Sequence, residues 1–131
     1  MRLLLDTHIL LWSLLEPHHL VKRVAIELES PDNELWLSPI STWEILILVE
    51  KGRVILNSDP GTWIRSVFNK IPFKEAPINH EVAIESRLAN LPHQDPADRF
   101  LAGTSIVYNL TLVTADERLS ASNEFSVLLN K

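Results

Sequence analysis

Acidic side chains lie beside apolar segments in four separate parts of the chain. They are Asp6 in RLLLD, Glu44 in ISTWEILILV, Asp98 in DPADRFLAG and Asp116 in LTLVTADERL. Mg²⁺ and Mn²⁺ prefer carboxylate and water oxygens as ligands. One or two such ions can bind a phosphodiester, lower the pKa of a water molecule and stabilise a leaving oxygen. If the fold brings the four carboxylates together, the sequence therefore predicts hydrolytic chemistry at a hard metal centre.

Each of these acids also has a purely structural interpretation. Asp6 and Asp116 could cap the helices that follow them, and an acid such as Asp98 in a first helical turn is favoured by the helix dipole. Glu44 has the spacing of a capping box with Ser41, but both fall inside a longer predicted helix. Apolar residues flank Glu44, and that apolar stretch has no Lys or Arg at helical spacing. A buried carboxylate needs a partner, which favours a metal ion there.

The segment HQDPADRFLAG carries two aspartates with different predicted roles. Asp before Pro is a helix-start signal, so we expect Asp95 to be the N-cap and Pro96 the first helical residue. Asp98 follows where a side chain can turn toward the interior of the fold. We therefore assign Asp95 to the helix cap and Asp98 to the predicted metal centre.

Apolar segments with strand character alternate along the chain with segments of helical periodicity. We predict strands in RLLLD, ELWLS, FKEAPI, LTLVT and FSVLL, and a short extended piece in RVIL. We predict helices in THILLWSLLE, HHLVKRVAIELES, PISTWEILILVEKG, SDPGTWIRSVFNK, NHEVAIESRLANL, DPADRFLAGTSIVYN and ADERLSAS. This alternation is typical of a three-layer α/β domain with a parallel sheet between helices. Ligands bind such sheets beyond the carboxyl ends of the strands, close to where the four acids fall.

Composition narrows the class of protein. The chain has 131 residues, of which 46% are hydrophobic and 22% charged, as expected for one globular domain. Its net charge of −5 argues against a simple basic-surface nucleic-acid binder but is compatible with an enzyme that holds phosphate through divalent cations. Cysteine is absent, and no segment has the pattern of a signal peptide or a membrane span. We therefore expect a cytoplasmic protein without membrane association.

Four segments resemble the PIN domain family, particularly the VapC-type toxins of bacterial toxin–antitoxin pairs. They are LLDTHILLW, STWEI, DPADRFLAG and LVTADERL. The resemblance spans nearly the whole chain and keeps the order Asp, Glu, Asp, Asp. It implies a Rossmann-like three-layer α/β fold, with residues 1–131 as a single PIN domain. It also implies that Mg²⁺ or Mn²⁺ is held by Asp6, Glu44, Asp98 and Asp116.

The resemblance also implies roles for residues around those acids. Thr114, in the threonine-x-aspartate motif, is expected to help hold the site. Thr7 and His8 are expected to contact substrate or to support the acids. Asp95 and Arg99 belong to the DPxDR variant of the third motif, and Arg99 is expected to orient a carboxylate or to meet a phosphate.

One position departs from the family pattern. Related sequences often carry a Lys four residues after the Glu of the second motif. In this chain that position is Leu48, and the nearest basic residue is Lys51. We therefore expect this chain to hold its substrate differently.

The activity implied by the resemblance is that of a metal-dependent endoribonuclease acting as a toxin. A water molecule would attack an RNA phosphodiester in line and leave a 5′-phosphate and a 3′-hydroxyl. The implied partners are RNA, a cognate antitoxin protein and a second copy of the chain in a homodimer.

Two other functions fit part of the sequence. A phosphatase with an Asp nucleophile would need a second acid two residues after Asp6, where His8 stands, and a partner Lys that we cannot place. A PIN-like module that binds proteins without turnover would have little reason to retain four crowded acids. The ribonuclease is therefore the favoured prediction.

Overall fold

A parallel sheet of five strands lies at the centre of the protein. The computed structural model describes residues 1–131 in full. The strands are β1 Arg2–Leu5, β2 Glu34–Leu37, β3 Lys74–Glu75, β4 Thr111–Thr114 and β5 Ser126–Leu129, in the order β3-β2-β1-β4-β5. All four pairings are parallel, and β1 is central, between β2 and β4. The predicted three-layer α/β architecture is confirmed.

Six α-helices cover the two faces of this sheet. They are α1 Thr7–Leu15, α2 Lys22–Glu29, α3 Pro39–Glu50, α4 Pro60–Lys70, α5 His80–Leu88 and α6 Pro96–Tyr108. Four of the helices begin at a capping side chain: those of Ser38, Asp59, Asn79 and Asp95 each accept a backbone N–H in the first turn of α3, α4, α5 and α6. The cap predicted at Asp95 is thus confirmed. Gly52, with φ of +70°, follows the end of α3 in the left-handed conformation that favours glycine.

Three local predictions were wrong. The helix expected over residues 18–30 begins only at Lys22, because Pro17–His19 forms a 3₁₀ turn and Leu20 and Val21 are extended. The Val21 N–H donates to Asn130 Oδ1 at 2.7 Å, which holds this extended piece. The helix predicted after β4 is a 3₁₀ segment, Glu117–Ala121. Residues 53–56, where we expected a short extended piece, begin with bends at Arg53 and Val54 and join no strand of the sheet.

The core consists of two apolar layers that β1 separates. Leu3 and Leu5 contribute to the layer that contains the buried side chains of α1, α2 and α3, whereas Leu4 contributes to the layer that contains those of α6. Successive strand residues point to opposite faces, so a central strand buried on both faces reads as a continuous apolar run. Burial of Leu3, Leu4 and Leu5 thus fixes the position at which β1 ends and Asp6 follows.

Helices α5 and α6 approach each other at Gly103. A Cβ atom at this position would lie 2.7 Å from the backbone of both Ser86 and Val82. Glycine inside a helix costs about 1 kcal/mol relative to alanine, and the close packing of the two helices explains its presence. Elsewhere in the fold, none of the helices has the length and apolarity required to cross a membrane.

Candidate metal centre

The four predicted acids lie around one cleft at the carboxyl edge of the sheet. Asp6 directly follows β1, Asp116 follows β4, Glu44 lies in α3 after β2, and Asp98 lies in the first turn of α6. The cleft has a volume of about 400 Å³ and is lined by Asp6, His8, Trp12, Glu44, Asp95, Asp98, Ala115, Asp116 and Arg118. The fold therefore brings together carboxylates that are up to 110 residues apart in sequence.

Asp6 is the deepest of these acids. Its residue is 9% exposed, and Thr114 Oγ1 donates a hydrogen bond of 2.6 Å to Asp6 Oδ2. The side chain caps nothing, since it accepts no hydrogen bond from the first turn of α1. Burial raises the pKa of Asp6 above its usual range, although the Thr114 hydroxyl opposes this. A carboxylate kept here costs the fold free energy unless a cation compensates its charge.

Glu44 is held by a neutral hydroxyl as well. Thr7 Oγ1 donates to Glu44 Oε1 at 2.5 Å and lies 3.1 Å from Ser41 Oγ. Partial burial raises the pKa of Glu44, and the negative charge of Asp6 adds to this effect. Glu44 forms no ion pair within the chain. The predicted need for a partner is thus met by the Thr7 hydroxyl and by no cation of the protein.

Asp98 and Asp95 separate as the sequence predicts. Asp95 Oδ1 accepts the Asp98 backbone N–H at 3.0 Å, and Pro96 is the first residue of α6. The Asp98 side chain points into the cleft. Burial and the charges of Asp6 and Asp95 raise the pKa of Asp98 to about 7. When no cation compensates the charge, this carboxyl therefore takes up a proton as the pH falls through neutrality.

Asp116 differs from the other three acids because it has a cationic partner. Arg118 Nε donates to Asp116 Oδ1 at 3.0 Å, and Arg118 Nη2 donates to Oδ2 at 2.8 Å. These hydrogen bonds lower the pKa of Asp116 below its usual range. The Asp116 backbone N–H also donates to Thr114 Oγ1 at 3.1 Å. One threonine hydroxyl therefore connects the segments that carry Asp6 and Asp116.

Sequence reasoning missed His93, which lies against the acid cluster. Its Nε2 is buried, has no hydrogen-bond partner and lies 3.6 Å from Asp98 Oδ2. Its Nδ1 lies 3.4 Å from the Asp95 backbone N, which helps to orient the ring. The available signal was the position of this histidine two residues before Asp95 in HQDPADR.

The donor atoms of this region fit a divalent ion. One ligand atom each from His93, Asp98 and Asp116 lie within 4.8 Å of one another. Two ligand atoms on opposite sides of a single Mg²⁺ are about 4 Å apart. Small side-chain movements would therefore bring these three ligand atoms to distances that suit one ion. The carboxylates suit Mg²⁺ and Mn²⁺ by ligand type, whereas an imidazole is more typical of sites for zinc, copper, iron or nickel. The buried, unpartnered Nε2 supports the fit.

Arg99 does not have the predicted contacts. Its residue is 4% exposed, and its guanidinium donates to four backbone carbonyls and to no carboxylate. The acceptors are the carbonyl oxygens of Ser86, Arg87, Ala89 and His93, at 2.7–3.1 Å. The last carbonyls of a helix lack partners within it, and a guanidinium offers five donors. The prediction that Arg99 orients a carboxylate was wrong: it ties the end of α5 to α6.

The remaining residues near the cleft differ in exposure. Thr7, the first residue of α1, is buried against α3. His8 is exposed at the rim of the cleft, with its ring 5.9 Å from that of Trp12. Arg118 was missed by sequence reasoning, although its place two residues after Asp116 was a signal. Leu48 packs against the apolar core and does not line the cleft.

Comparison with known proteins decides the family. The model of the PIN domain family matches residues 3–123 of the chain. The protein belongs to the PIN domain family. Among curated proteins, this PIN domain is 32% identical to "Ribonuclease VapC22" of Mycobacterium tuberculosis, over 88% of each chain.

Solved structures share the fold of this PIN domain. The structure of VapBC2 from Rickettsia felis, bound to a DNA fragment from its promoter, includes a chain that matches with a TM-score of 0.73 at 16% identity, over 98% of both chains. The structure of DNA-bound VapBC from Salmonella typhimurium matches with a TM-score of 0.68 at 17% identity, over 100% of this chain and 99% of the other. At these identities, the likeness supports the Rossmann-like arrangement of the PIN fold.

Proposed function

We propose that this PIN domain is a divalent-metal-dependent endoribonuclease and the toxin of a toxin–antitoxin pair. The observation that carries the proposal is the acid cluster: four carboxylates from separate elements surround one cleft, and three of them have no cationic partner within hydrogen-bond distance. The relative named as a ribonuclease supports RNA as the substrate class.

The chain's own residues prepare the site for an ion. Asp6, Glu44, Asp98 and Asp116 would hold Mg²⁺ or Mn²⁺ directly or through water, while the Thr7 and Thr114 hydroxyls fix two of the carboxylates without neutralising them. A bound divalent ion would supply a water of lowered pKa and a positive charge for the leaving oxygen. His8 at the rim would contact the substrate.

Binding without turnover is less consistent with the geometry. Burial raises the pKa of Asp6, Glu44 and Asp98, which means that the folded chain disfavours their charged forms. A module that only binds proteins gains nothing from this cost. A phosphatase remains without a specific observation in its favour, since exposed His8 occupies the position where its second acid would stand.

We further propose that residues 1–131 act as a single cytoplasmic domain that pairs with an antitoxin and with a second copy of itself. The structures that share the fold include complexes named VapBC and FitAB, which supports a protein partner of this kind.

Cleavage of RNA with defined ions tests the activity. Mixed RNA should be cut in Mg²⁺ or Mn²⁺ but not in EDTA, and Asp98→Asn should cut poorly. Hydrolysis of p-nitrophenyl phosphate with no RNA cleavage would replace the proposal with the phosphatase.

Thermal unfolding tests the metal centre without activity. Millimolar Mn²⁺ should raise the Tm of the wild type by mass action, whereas NaCl of equal ionic strength should not. The rise should be smaller in Asp98→Asn. An unchanged Tm across millimolar Mn²⁺ would contradict the metal centre.

A further inference from the structure

Arg118 is the one Lys or Arg side chain that lines the acidic cleft. The other lining residues are four acids of the proposed metal centre, Asp95, His8, Trp12 and Ala115. Position 48, where related sequences often carry a base, is an apolar residue that packs into the core. An RNA phosphate that enters this cleft would therefore meet only one Lys or Arg side chain of the protein, that of Arg118.

The Arg118–Asp116 pair covers both oxygens of an acid that the proposed metal centre needs. Arg118 Nε donates to Oδ1, and Nη2 donates to Oδ2. Each carboxylate oxygen has two lone-pair directions, and the guanidinium occupies one on each oxygen and offsets the negative charge. The guanidinium therefore competes with an ion for Asp116.

The pair is exposed enough to separate at low cost. The Arg118 side chain is 60% exposed, and that of Asp116 is 25% exposed. Ion pairs in contact with solvent contribute little net stability, because water solvates both partners when they part. The 3₁₀ segment that begins at Glu117 carries Arg118 at its surface, so its side chain can swing without disturbing the core.

The guanidinium that leaves Asp116 suits a phosphate equally well. Arginine presents parallel N–H donors that match the oxygens of a carboxylate or a phosphate in the same bidentate geometry. The negative charges of Asp98 and Asp95 also raise the pKa of Arg118, after the larger effect of its hydrogen bonds to Asp116. A phosphate bound beside the acids would offer Arg118 new oxygen acceptors. These would replace the Asp116 oxygens that then bind the metal ion.

We propose that Arg118 exchanges partners during binding, from the Asp116 carboxylate in the metal-free protein to a backbone phosphate of the RNA substrate once an ion occupies Asp116. This inference rests on the proposed function. It assigns Arg118 to substrate positioning and accounts for a grip on RNA without a base at position 48.

Partner exchange has opposite consequences for the two ligands. Removing the guanidinium uncovers Asp116, so the ion should bind more tightly. The same removal takes away a phosphate contact, so RNA should bind more weakly. A residue that merely shapes the loop after β4 would change both affinities in the same direction or neither.

The metal arm measures Mn²⁺ affinity without RNA, by electron paramagnetic resonance of the free ion. Arg118→Ala should bind Mn²⁺ about two- to fivefold more tightly than the wild type, in keeping with the weakness of exposed ion pairs. Arg118→Lys should lie between the two, because one ammonium cannot cover both oxygens. Arg65→Ala, an exposed arginine of α4 outside the cleft, is the matched control and should leave the affinity unchanged.

The RNA arm measures binding of a fluorescent single-stranded RNA by anisotropy in Ca²⁺, with intact RNA verified on a gel. Arg118→Ala should weaken binding about tenfold, as expected for one charge-assisted bidentate contact. Its slope of log affinity against log salt should be shallower by about 0.7, the value for one phosphate contact on a single strand. Arg118→Lys should keep the wild-type slope.

The outcomes separate this inference from the proposed function. If the wild type neither binds Mn²⁺ nor cleaves RNA, the proposed function fails and the inference fails with it. If the wild type cleaves RNA but Arg118→Ala matches Arg65→Ala in both arms, only the exchange is overturned. Loss of both affinities together in Arg118→Ala would also overturn it, because Arg118 would then act as a structural residue.

Discussion

Asp6 and Asp116 end neighbouring strands, yet the protein treats them differently. Asp6 is buried, is held by the neutral hydroxyl of Thr114 and has a raised pKa. Asp116 is more exposed, is held by the Arg118 guanidinium and has a lowered pKa. A hydroxyl fixes the position of a carboxylate without cancelling its charge, whereas a guanidinium does both.

This difference divides the cleft into a deep wall and a shallow wall. The deep wall comprises Asp6 and Glu44. Threonine hydroxyls fix the positions of these two carboxylates but leave their charges to be compensated by a bound cation. The shallow wall comprises Asp116 and its own arginine, and solvent screens this pair. Mutations in the deep wall should therefore affect metal binding and stability more strongly than mutations in the shallow wall.

Asp6→Asn should give the largest effect. It removes a ligand charge that supports a metal-dependent transition state, so turnover should fall by on the order of 100-fold. In metal-free buffer its Tm should not fall, because the substitution removes a desolvated charge. RNA cleavage rates and thermal unfolding in EDTA measure the two effects. Near-wild-type turnover in Asp6→Asn would refute the assignment of Asp6 to the metal centre.

Thr114→Val should have the next largest effect. It leaves the buried Asp6 carboxylate and the Asp116 N–H without their hydroxyl partner, at a cost of about 1–3 kcal/mol in unfolding free energy. Mn²⁺ affinity should fall about 10- to 100-fold, as for other residues that orient metal ligands. Urea unfolding and Mn²⁺ titration measure these changes. Thr114→Ser, which retains the hydroxyl, should recover most of both, and its failure to do so would point to packing instead.

The stability of the metal-free protein should fall as pH rises from 6 to 8. The pKa of Asp98 is about 7 in the folded protein and near 4 in the unfolded chain. The stability linked to its extra proton is therefore complete below pH 4 and lost as pH rises through 7. Tm values in EDTA at each pH check this trend.

Two variants sharpen this pH prediction by separating the contribution of Asp98 from that of Asp116. Asp98→Asn should show a flatter profile of Tm between pH 6 and 8. Asp116→Asn should keep most of the slope, because the charge of Asp116 is only one of the smaller causes that raise the pKa of Asp98. The lowered pKa of Asp116 places its own contribution to the pH dependence at acidic pH, where stability is lost as pH falls. A flat wild-type profile would contradict the raised pKa of Asp98.

Asp95 should give the smallest effect. Asp95→Ala removes the cap of α6 and should cost about 1 kcal/mol in unfolding free energy. Asp95→Asn keeps a capping oxygen while removing the charge, so its cost should be only a few tenths of a kcal/mol. Both variants should retain most of their cleavage activity at temperatures where they stay folded. A folded but inactive Asp95→Ala beside an active Asp98→Asn would mean that the two aspartates have been assigned the wrong way round.

The strand ends were predictable because local sequence determines them. The three leucines Leu3, Leu4 and Leu5 form an apolar run, as a doubly covered central strand requires, and Asp6 follows it at once. The Asp95–Pro96 pair is a local start signal, so the cap of α6 could be located from two residues. Glu44 stood out as an acid among apolar neighbours.

The partners of the side chains could not be predicted because packing chooses them. Arg99 follows Asp98 directly, but successive helix residues point in different directions, and Arg99 meets the end of α5 instead of the cleft. His93 and Arg118 lie in irregular or 3₁₀ segments, where no periodicity predicts the direction of a side chain. The late start of α2 depends on Asn130, which is distant in sequence.

The central position of β1 affects how the site appears during synthesis. Asp6 meets Thr114 across 108 residues, because β1 pairs with β4. Contacts between such distant segments form late, and a chain leaves the ribosome with its N-terminal part first. A nascent chain that stops before residue 111 has Asp6 and Glu44 but lacks the strand that closes the cleft. The acid cluster is therefore complete only after the segment that carries β4 and Asp116 has been synthesised.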